Sequence, residues 1–303
     1  MKDFLIKLAS YCFLIILIAN TISFAANYFL KKSSFYKSSY ILREFPEGQE
    51  FDFIIAGSSR GLTSLDTKLI DSLINGKGFN LSLDDTGLPS HFLMLKHYFE
   101  SGFKAKKCIL VLDQNHFEKS ETSLNENDYR MAAFSGEKYM KAYFKEKEKG
   151  LLKPLFLIPY FPMVAYSYYN SELFVSAIIG AVKPSYRHRF DEYGDYTYPT
   201  MISGAIEEEE PNSETKQTKI TNPLINEVAA YLKQFDCDLI LYIAPYKNMK
   251  LEIKNSVSYP LINHSDVLKS SSFFYDEIHV NLAGKEAATI IFSEEFKALL
   301  GSE

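Results

Sequence analysis

The hydrophobic pattern divides this chain into an uninterrupted apolar stretch, a regular alternation of short apolar runs with helical segments, and an aromatic interruption of that alternation. Residues 8–30 (LASYCFLIILIANTISFAANYFL) carry no charge and are bracketed by Lys2 and Lys7 before them and Lys31 and Lys32 after them. About 20 apolar residues suffice to cross a bilayer as a helix, and a soluble helix keeps a polar stripe, so the pattern predicts one N-terminal transmembrane helix. A cleavable signal peptide competes with it, because Ser23-Phe24-Ala25 is a small-x-small cleavage site after an apolar run. Either reading exports the remainder. Lys31, Lys32, Lys37 and Arg43 after the span blunt the positive-inside signal; the reading adopted is a retained single-pass anchor with the following domain on the extracytoplasmic side.

From residue 51 the periodicity changes. Phe51-Asp52-Phe53-Ile54-Ile55-Ala56 is a short apolar run ended by Gly57, and residues 65–73 follow with helical spacing. Residues 78–83 read as a second strand, 89–99 as a helix and 107–113 as a third strand. The rhythm resumes with a helix at 224–235, a strand at 238–244, a segment around 248–255 and a closing helix at 282–299. Alternation of this kind predicts an α/β fold with a mainly parallel sheet covered on both faces by helices. The domain expectation is an anchor over 1–32, then one α/β domain over 33–303 carrying a mostly helical insertion at about 120–219.

That insertion opens with charged helical sequence at 137–149 and continues into residues 151–166, where three prolines argue against a spanning helix. Residues 173–182 are apolar but too short to cross a bilayer. The aromatic content fits core helices or a face resting at a membrane interface, where Tyr is favoured; the core reading is preferred. Residues 186–196 (YRHRFDEYGDY) are aromatic and charged, suited to bordering a sugar site, and residues 207–218 (EEEEPNSETKQT) have the composition of a solvated loop.

Composition narrows the function classes. With 303 residues, 47% hydrophobic and 23% charged, the chain suits one large domain or one domain with an insertion, and a net charge of −5 without a basic stripe argues against a nucleic-acid binder. The three cysteines show no metal spacing. Cys108 and Cys237 read as buried thiols, able to pair only if their strands are neighbours.

The candidate chemistry lies near the two ends. Gly57-Ser58-Ser59-Arg60 follows the first strand, and Asp276-Glu277-Ile278-His279 precedes the last helix. A serine hydroxyl attacks a carbonyl only when a base takes its proton and a third group holds that base, and His279 and Asp276 have the spacing for those roles. Active sites of open α/β sheets lie at the carboxyl ends of the strands, where Ser58, Ser59, Asp113, Gln114, Asn115 and His116 also fall. Arg60 is either a holder of a substrate carboxylate or phosphate or a partner of a nearby acid. His91, His97 and His264 read as helix-surface or loop residues, His116 as a cleft or a surface residue, and Asp84 and Asp85 as caps more than as a cation site. No metal or organic cofactor is implied.

These residues resemble the SGNH (GDSL-like) hydrolase superfamily, specifically its membrane-anchored branch associated with cell-envelope polysaccharide O-acylation. The resemblance rests on Gly57-Ser58-Ser59-Arg60 and on residues 274–284 (FYDEIHVNLAG), where Asp, His, Asn and Gly recur in the family's order. It spans residues 51–119 and 220–300. It implies a three-layer α/β/α sandwich, flavodoxin-like in its sheet, with Ser59 as nucleophile and Asp276 and His279 completing a triad. The family places a glycine after the second strand and an asparagine after the third to stabilise the oxyanion. Here Ser82 occupies the second block and Asn115, with Gln114 equally placed, the third, and nearby aspartates would oppose a developing negative charge.

The resemblance implies an exported serine-dependent O-acyltransferase or esterase acting on ester-linked acyl groups, usually acetyl, of a cell-envelope or secreted polysaccharide. Its partners would be a glycan acceptor and a multi-span membrane-bound O-acyltransferase. The alternative is a non-catalytic protein that uses the fold to hold a glycan or dock on that membrane enzyme.

Overall fold

The computed structural model describes residues 1–200 and 214–301. The chain forms two compact units, one of Met1–Pro46 and Thr122–His188, the other of Glu47–Glu121 and Arg189–Glu303.

In the first unit α1 runs without a break over Lys2–Lys32, and it is long and apolar enough to cross a membrane. Residues 2–18 of this helix are exposed along their whole length, whereas Ser23, Ala26 and Leu30 are buried within the unit. A short helix α2 (Lys37–Glu44) follows. The other elements of this unit lie within residues 122–188.

The second unit is built on a parallel five-stranded sheet. Its strands are β1 (Glu50–Ala56), β2 (Gly78–Asn80), β3 (Lys104–Val111), β5 (Asp238–Ile243) and β7 (Leu261–Asn263), in the order β2-β1-β3-β5-β7. β4 (Glu214–Thr218) pairs in parallel with β6 (Met249–Ile253) as a separate ribbon. The apolar runs at β1, β3 and β5 are buried at nearly every position, as strands covered on both faces must be. Phe53, Ile55, Ile109, Val111, Ile240 and Tyr242 point to one face and pack with Phe292 and Phe296. Phe296 meets Phe53 edge to face at 5.7 Å, and Phe292 meets Tyr242 at 5.1 Å. Burying each such ring stabilises by roughly 1.5–3 kcal/mol, which fixes the closing helix against the sheet.

Among the described residues, four α-helices of this unit start where a side chain satisfies one of their first N–H groups. Ser58 Oγ accepts from Arg60 N at the head of α3 (Ser59–Thr63), and Asp66 accepts from Leu69 N at the head of α4 (Thr67–Ile74). α5 covers Leu88–Glu100 and starts at Gly87 without such a cap. The 122–188 segment of the first unit carries α6 (Lys138–Lys147), α7 (Pro154–Leu157), α8 (Pro162–Tyr168), a π turn over Asn170–Val175 and α9 (Ser176–Val182). Back in the second unit, Asn222 caps α10 (Pro223–Leu232) and Asn281 caps α11 (Leu282–Leu300).

Several expectations change. β2 ends at Asn80 instead of Leu83, because Asn80 Oδ1 takes the Ser82 N–H, although Leu81 and Leu83 still donate to Ile55 and Gly57 of the first strand and its turn. Residues 214–218 form a strand where a solvated loop was expected, since pairing with β6 satisfies a backbone whose side chains stay exposed; residues 207–213 of that run lie outside the described residues. β7 is too short to register as a periodic segment. Cys108 and Cys237 lie on or beside the neighbouring strands β3 and β5, yet both are buried unbridged thiols.

Within the sheet β1 is followed in space by β2 on one side and β3 on the other. The connections after β1 and β3 therefore leave in opposite directions, which opens a crevice at the carboxyl ends of these two strands.

Candidate active site

Ser59 occupies the first helical position after β1, immediately past the turn at Gly57. His279 Nε2 lies 2.8 Å from Ser59 Oγ, and His279 Nδ1 lies 2.8 Å from Asp276 Oδ2. Serine, imidazole and carboxylate thus form one hydrogen-bonded chain, with the carboxylate fixing the tautomer that leaves Nε2 to accept the serine proton. Ser59 and His279 are partly buried, and Asp276 is more open.

The loop that presents His279 is held by its own sequence. Asp276 Oδ1 accepts from the backbone N–H of Ile278 at 2.9 Å and of His279 at 2.8 Å, and Tyr275 N donates to His279 O. Asn281 then closes the loop: its N–H and side chain reach Phe273 O and Ser272 O, while its Oδ1 caps α11 through Gly284 N. A Cβ on Gly284 would sit 2.0 Å from Phe273 O. Each of Asp276, His279, Asn281 and Gly284 has a geometric reason for its place. Burial pushes the Asp276 carboxyl up, but the His279 ring and the two backbone N–H groups outweigh it and hold the group below the usual carboxylate range.

Of the two roles the sequence left open for Arg60, substrate holder or partner of a nearby acid, the structure shows the second, in a pair with Asp113. Arg60 is 2% exposed, and its guanidinium donates to Ile278 O at 3.2 Å, Pro245 O at 2.9 Å, Ala244 O and Asp113 Oδ1 at 3.4 Å, while stacking 3.4 Å from the Tyr246 ring. One side chain, next to Ser59, therefore ties α3 to the end of β5, the end of β3 and the loop before His279.

The third-block residue that reaches α3 is Asp113, which accepts a hydrogen bond from Ser58 Oγ. Sequence placed Asp113 at the strand end without giving it a role. Burial opposes its ionisation, but His116, Arg60 and Ser58 hold its pKa below the ordinary value. Of the two amides proposed for this block, Gln114 donates its backbone N–H to Tyr246 Oη at 3.3 Å and Asn115 is exposed. Ser82 is buried, and its Oγ would lie 2.5 Å from a Cβ on Gly61, so it packs beneath α3. The Ser59 N–H, at the first helical position, has no acceptor inside α3 and remains a candidate oxyanion donor.

Neighbouring histidines and acids are structural. His91 and His116 are buried with ring centroids 5.2 Å apart, and His116 Nδ1 accepts from Asp113 N, which corrects the surface reading of both. Burial pushes the His91 imidazole down to about 3. His97 is buried too, as is His264, whose Nε2 lies 3.0 Å from Glu295. Asp84 pairs with Arg189 at 3.3 Å. Among the described residues no group of three or more His, Cys, Asp or Glu is placed to hold a metal ion.

Two features escaped the sequence reading. The Tyr198 ring stacks on Tyr275 at 4.3 Å and lies 5.3 Å from His279, forming an aromatic wall beside the imidazole. Asp195, Asn80, Thr67 and Lys285 form a buried network that pins the segment after Arg189 to α4, β2 and α11. The aromatic stretch noted at 186–196 stops two residues short of Tyr198 and does not include Tyr275, so it did not mark the first; nothing in the sequence marks the second, because its members lie up to 218 positions apart. Compared with protein-family models and with curated proteins, the chain matches none.

Proposed function

We propose that the protein is a serine-dependent acyltransferase or esterase in which Ser59 attacks an ester carbonyl, His279 accepts its proton and Asp276 holds the imidazole. The observation that carries this reading is the continuous chain of contacts from Ser59 Oγ through both nitrogens of His279 to Asp276. The acyl-enzyme is resolved by water or by a sugar hydroxyl, His279 returning its proton to the departing alcohol and then activating the incoming hydroxyl.

The motif resemblance extends this reading to a three-layer SGNH-type domain, to acetyl as the acyl group, and to an envelope or secreted polysaccharide as acceptor. With α1 retained as an anchor, the catalytic unit works on the extracytoplasmic side, beside a membrane-bound O-acyltransferase that supplies acyl groups. The Tyr198–Tyr275 wall beside His279 suits a pyranose face.

A second reading, a non-catalytic glycan-binding or docking partner of such an enzyme, draws on the third block, where Asp113 stands at the strand end and Asn115 is exposed. Turnover of a chromogenic acetyl ester by the full chain in detergent decides between them. Hydrolysis lost in both Ser59→Ala and His279→Ala, with acetylated oligosaccharide formed when an acceptor is added, is the expected result. No turnover with or without an acceptor, together with retained oligosaccharide binding, would establish the second reading.

A further inference from the structure

The first unit carries an apolar surface that its own packing leaves open. Residues 154–182 contain a single charged side chain, Glu172. Their helices bury Leu155, Ala165, Leu173 and Ala177 inward and turn Tyr160, Phe161, Tyr168, Val175, Ile178 and Val182 outward, with Tyr168 72% and Val182 74% exposed. A stable water-facing surface does not concentrate side chains of this kind.

These helices pack directly on α1. Asn20 Oδ1 accepts from Met163 N at 3.3 Å, Asn27 Oδ1 lies 3.1 Å from Tyr166 Oη, and Gly180 sits against Ser33. Leu8 opens the uncharged stretch of α1, and Asn20 lies ~18 Å further along at 1.5 Å per residue, whereas a hydrocarbon core is ~30 Å thick. A bilayer that covers α1 from Leu8 therefore extends ~12 Å past the level at which α8 begins.

Backbone inside or against a bilayer must find its partners within the protein. Both short helices meet that demand at their starts. Pro154 and Pro162 have no N–H to satisfy; Glu148 takes the N–H groups of Leu155 and Phe156, and Asn20 takes that of Met163. Exposed Lys145, Lys149 and Lys183 border the apolar segment on both sides in sequence, where anionic headgroups would meet them.

We infer that α7 and α8 form a lipid-binding collar that enters the leaflet at the C-terminal end of α1, with α9, packed at Ser33 ~38 Å from Leu8, resting at the headgroup level. The collar rests on the reading of α1 as a membrane span. α9 and the preceding π turn together are too short to cross, so they stay at one leaflet only.

The test uses the full chain with Cys12→Ser, in which Cys108 and Cys237 are buried, and adds Tyr168→Cys, Ile178→Cys or Val182→Cys singly. Each is labelled with an environment-sensitive fluorophore and reconstituted in phosphatidylcholine–phosphatidylglycerol vesicles, with and without bromine on the acyl chains. The unaltered Cys12 reports on α1, and Lys233→Cys in the Cys12→Ser background reports on the sheet unit. The expected result is blue-shifted emission at 168, 178 and 182 that resists aqueous iodide, with quenching by brominated chains at 168 as at Cys12 and weaker at 178 and 182. Quenching by brominated chains at Cys12 alone, with iodide reaching the three added sites, would overturn the collar and leave that face to a protein partner. Iodide quenching at Cys12 as well would overturn the membrane span and the collar together.

Discussion

Arg60 Nε donates to Ile278 O at 3.2 Å, so the residue after the candidate nucleophile holds the residue before the candidate base. Ser59 and His279 are 220 positions apart in the chain. Their alignment depends on a guanidinium fork that also grips Ala244, Pro245 and Asp113. Arg60→Lys keeps the charge but cannot reach these acceptors at once. We expect it to lower kcat about 10- to 100-fold with little change in KM, because the loss is one of alignment. Arg60→Met leaves the Asp113 carboxylate without its cation and should cost about 3 kcal/mol by urea unfolding.

The contacts through which Asp276 orients His279 also hold its own carboxyl ionised. Its carboxyl is held below the usual range by the His279 ring and two backbone N–H groups, against the opposing effect of burial. Its contribution to stability is present above the unfolded carboxylate value and is lost only as pH drops through its lower folded value. Asp276→Asn should reduce kcat on the order of 10³- to 10⁴-fold while ester binding persists, as measured by the pH dependence of turnover in both proteins.

Gly284 allows the last loop to close. A Cβ there would meet the Phe273 carbonyl oxygen at 2.0 Å, a backbone atom that no rotamer change can move aside. Gly284→Ala should destabilise by about 1–3 kcal/mol and lengthen the Ser59–His279 contact. A lowered urea midpoint together with slower phosphonate labelling of Ser59 is the expected outcome.

Asp71 should make stability fall with rising pH. Burial pushes its carboxyl up to about 7, despite the hydrogen bond it accepts from Gly78 N. The folded state therefore binds a proton that the unfolded chain releases near pH 4, and stability declines as pH rises from there through about 7. Asp71→Asn removes the titration while keeping an acceptor. Thermal melts should show the variant more stable than the parent at pH 8 and close to it at pH 4.

What the sequence determined by itself is what depends on near neighbours. The uncharged run at 8–30, the apolar strands at β1, β3 and β5, and the Asp276–His279 spacing were legible because burial and turn geometry act over a few residues. The closing helix was legible over 282–299, one residue short of its end, whereas the cap that Asn281 supplies to it emerged only from the structure. Tertiary structure decided what depends on contacts between distant segments. Arg60 reads in sequence as either a substrate holder or the partner of a nearby acid, and only the meeting of β3, β5 and the Asp276 loop selects the second. His91, His97 and His264 look like surface residues until their helices and loops pack. Residues 214–218 are polar enough to be a loop, and become a strand because β6 offers a partner edge. Asn20 and Asn27 look out of place in an apolar helix until Met163 and Tyr166 arrive as their partners. A hydrogen-bonding group declares its need in the sequence, but the group that meets it is fixed only when the chain folds back on itself.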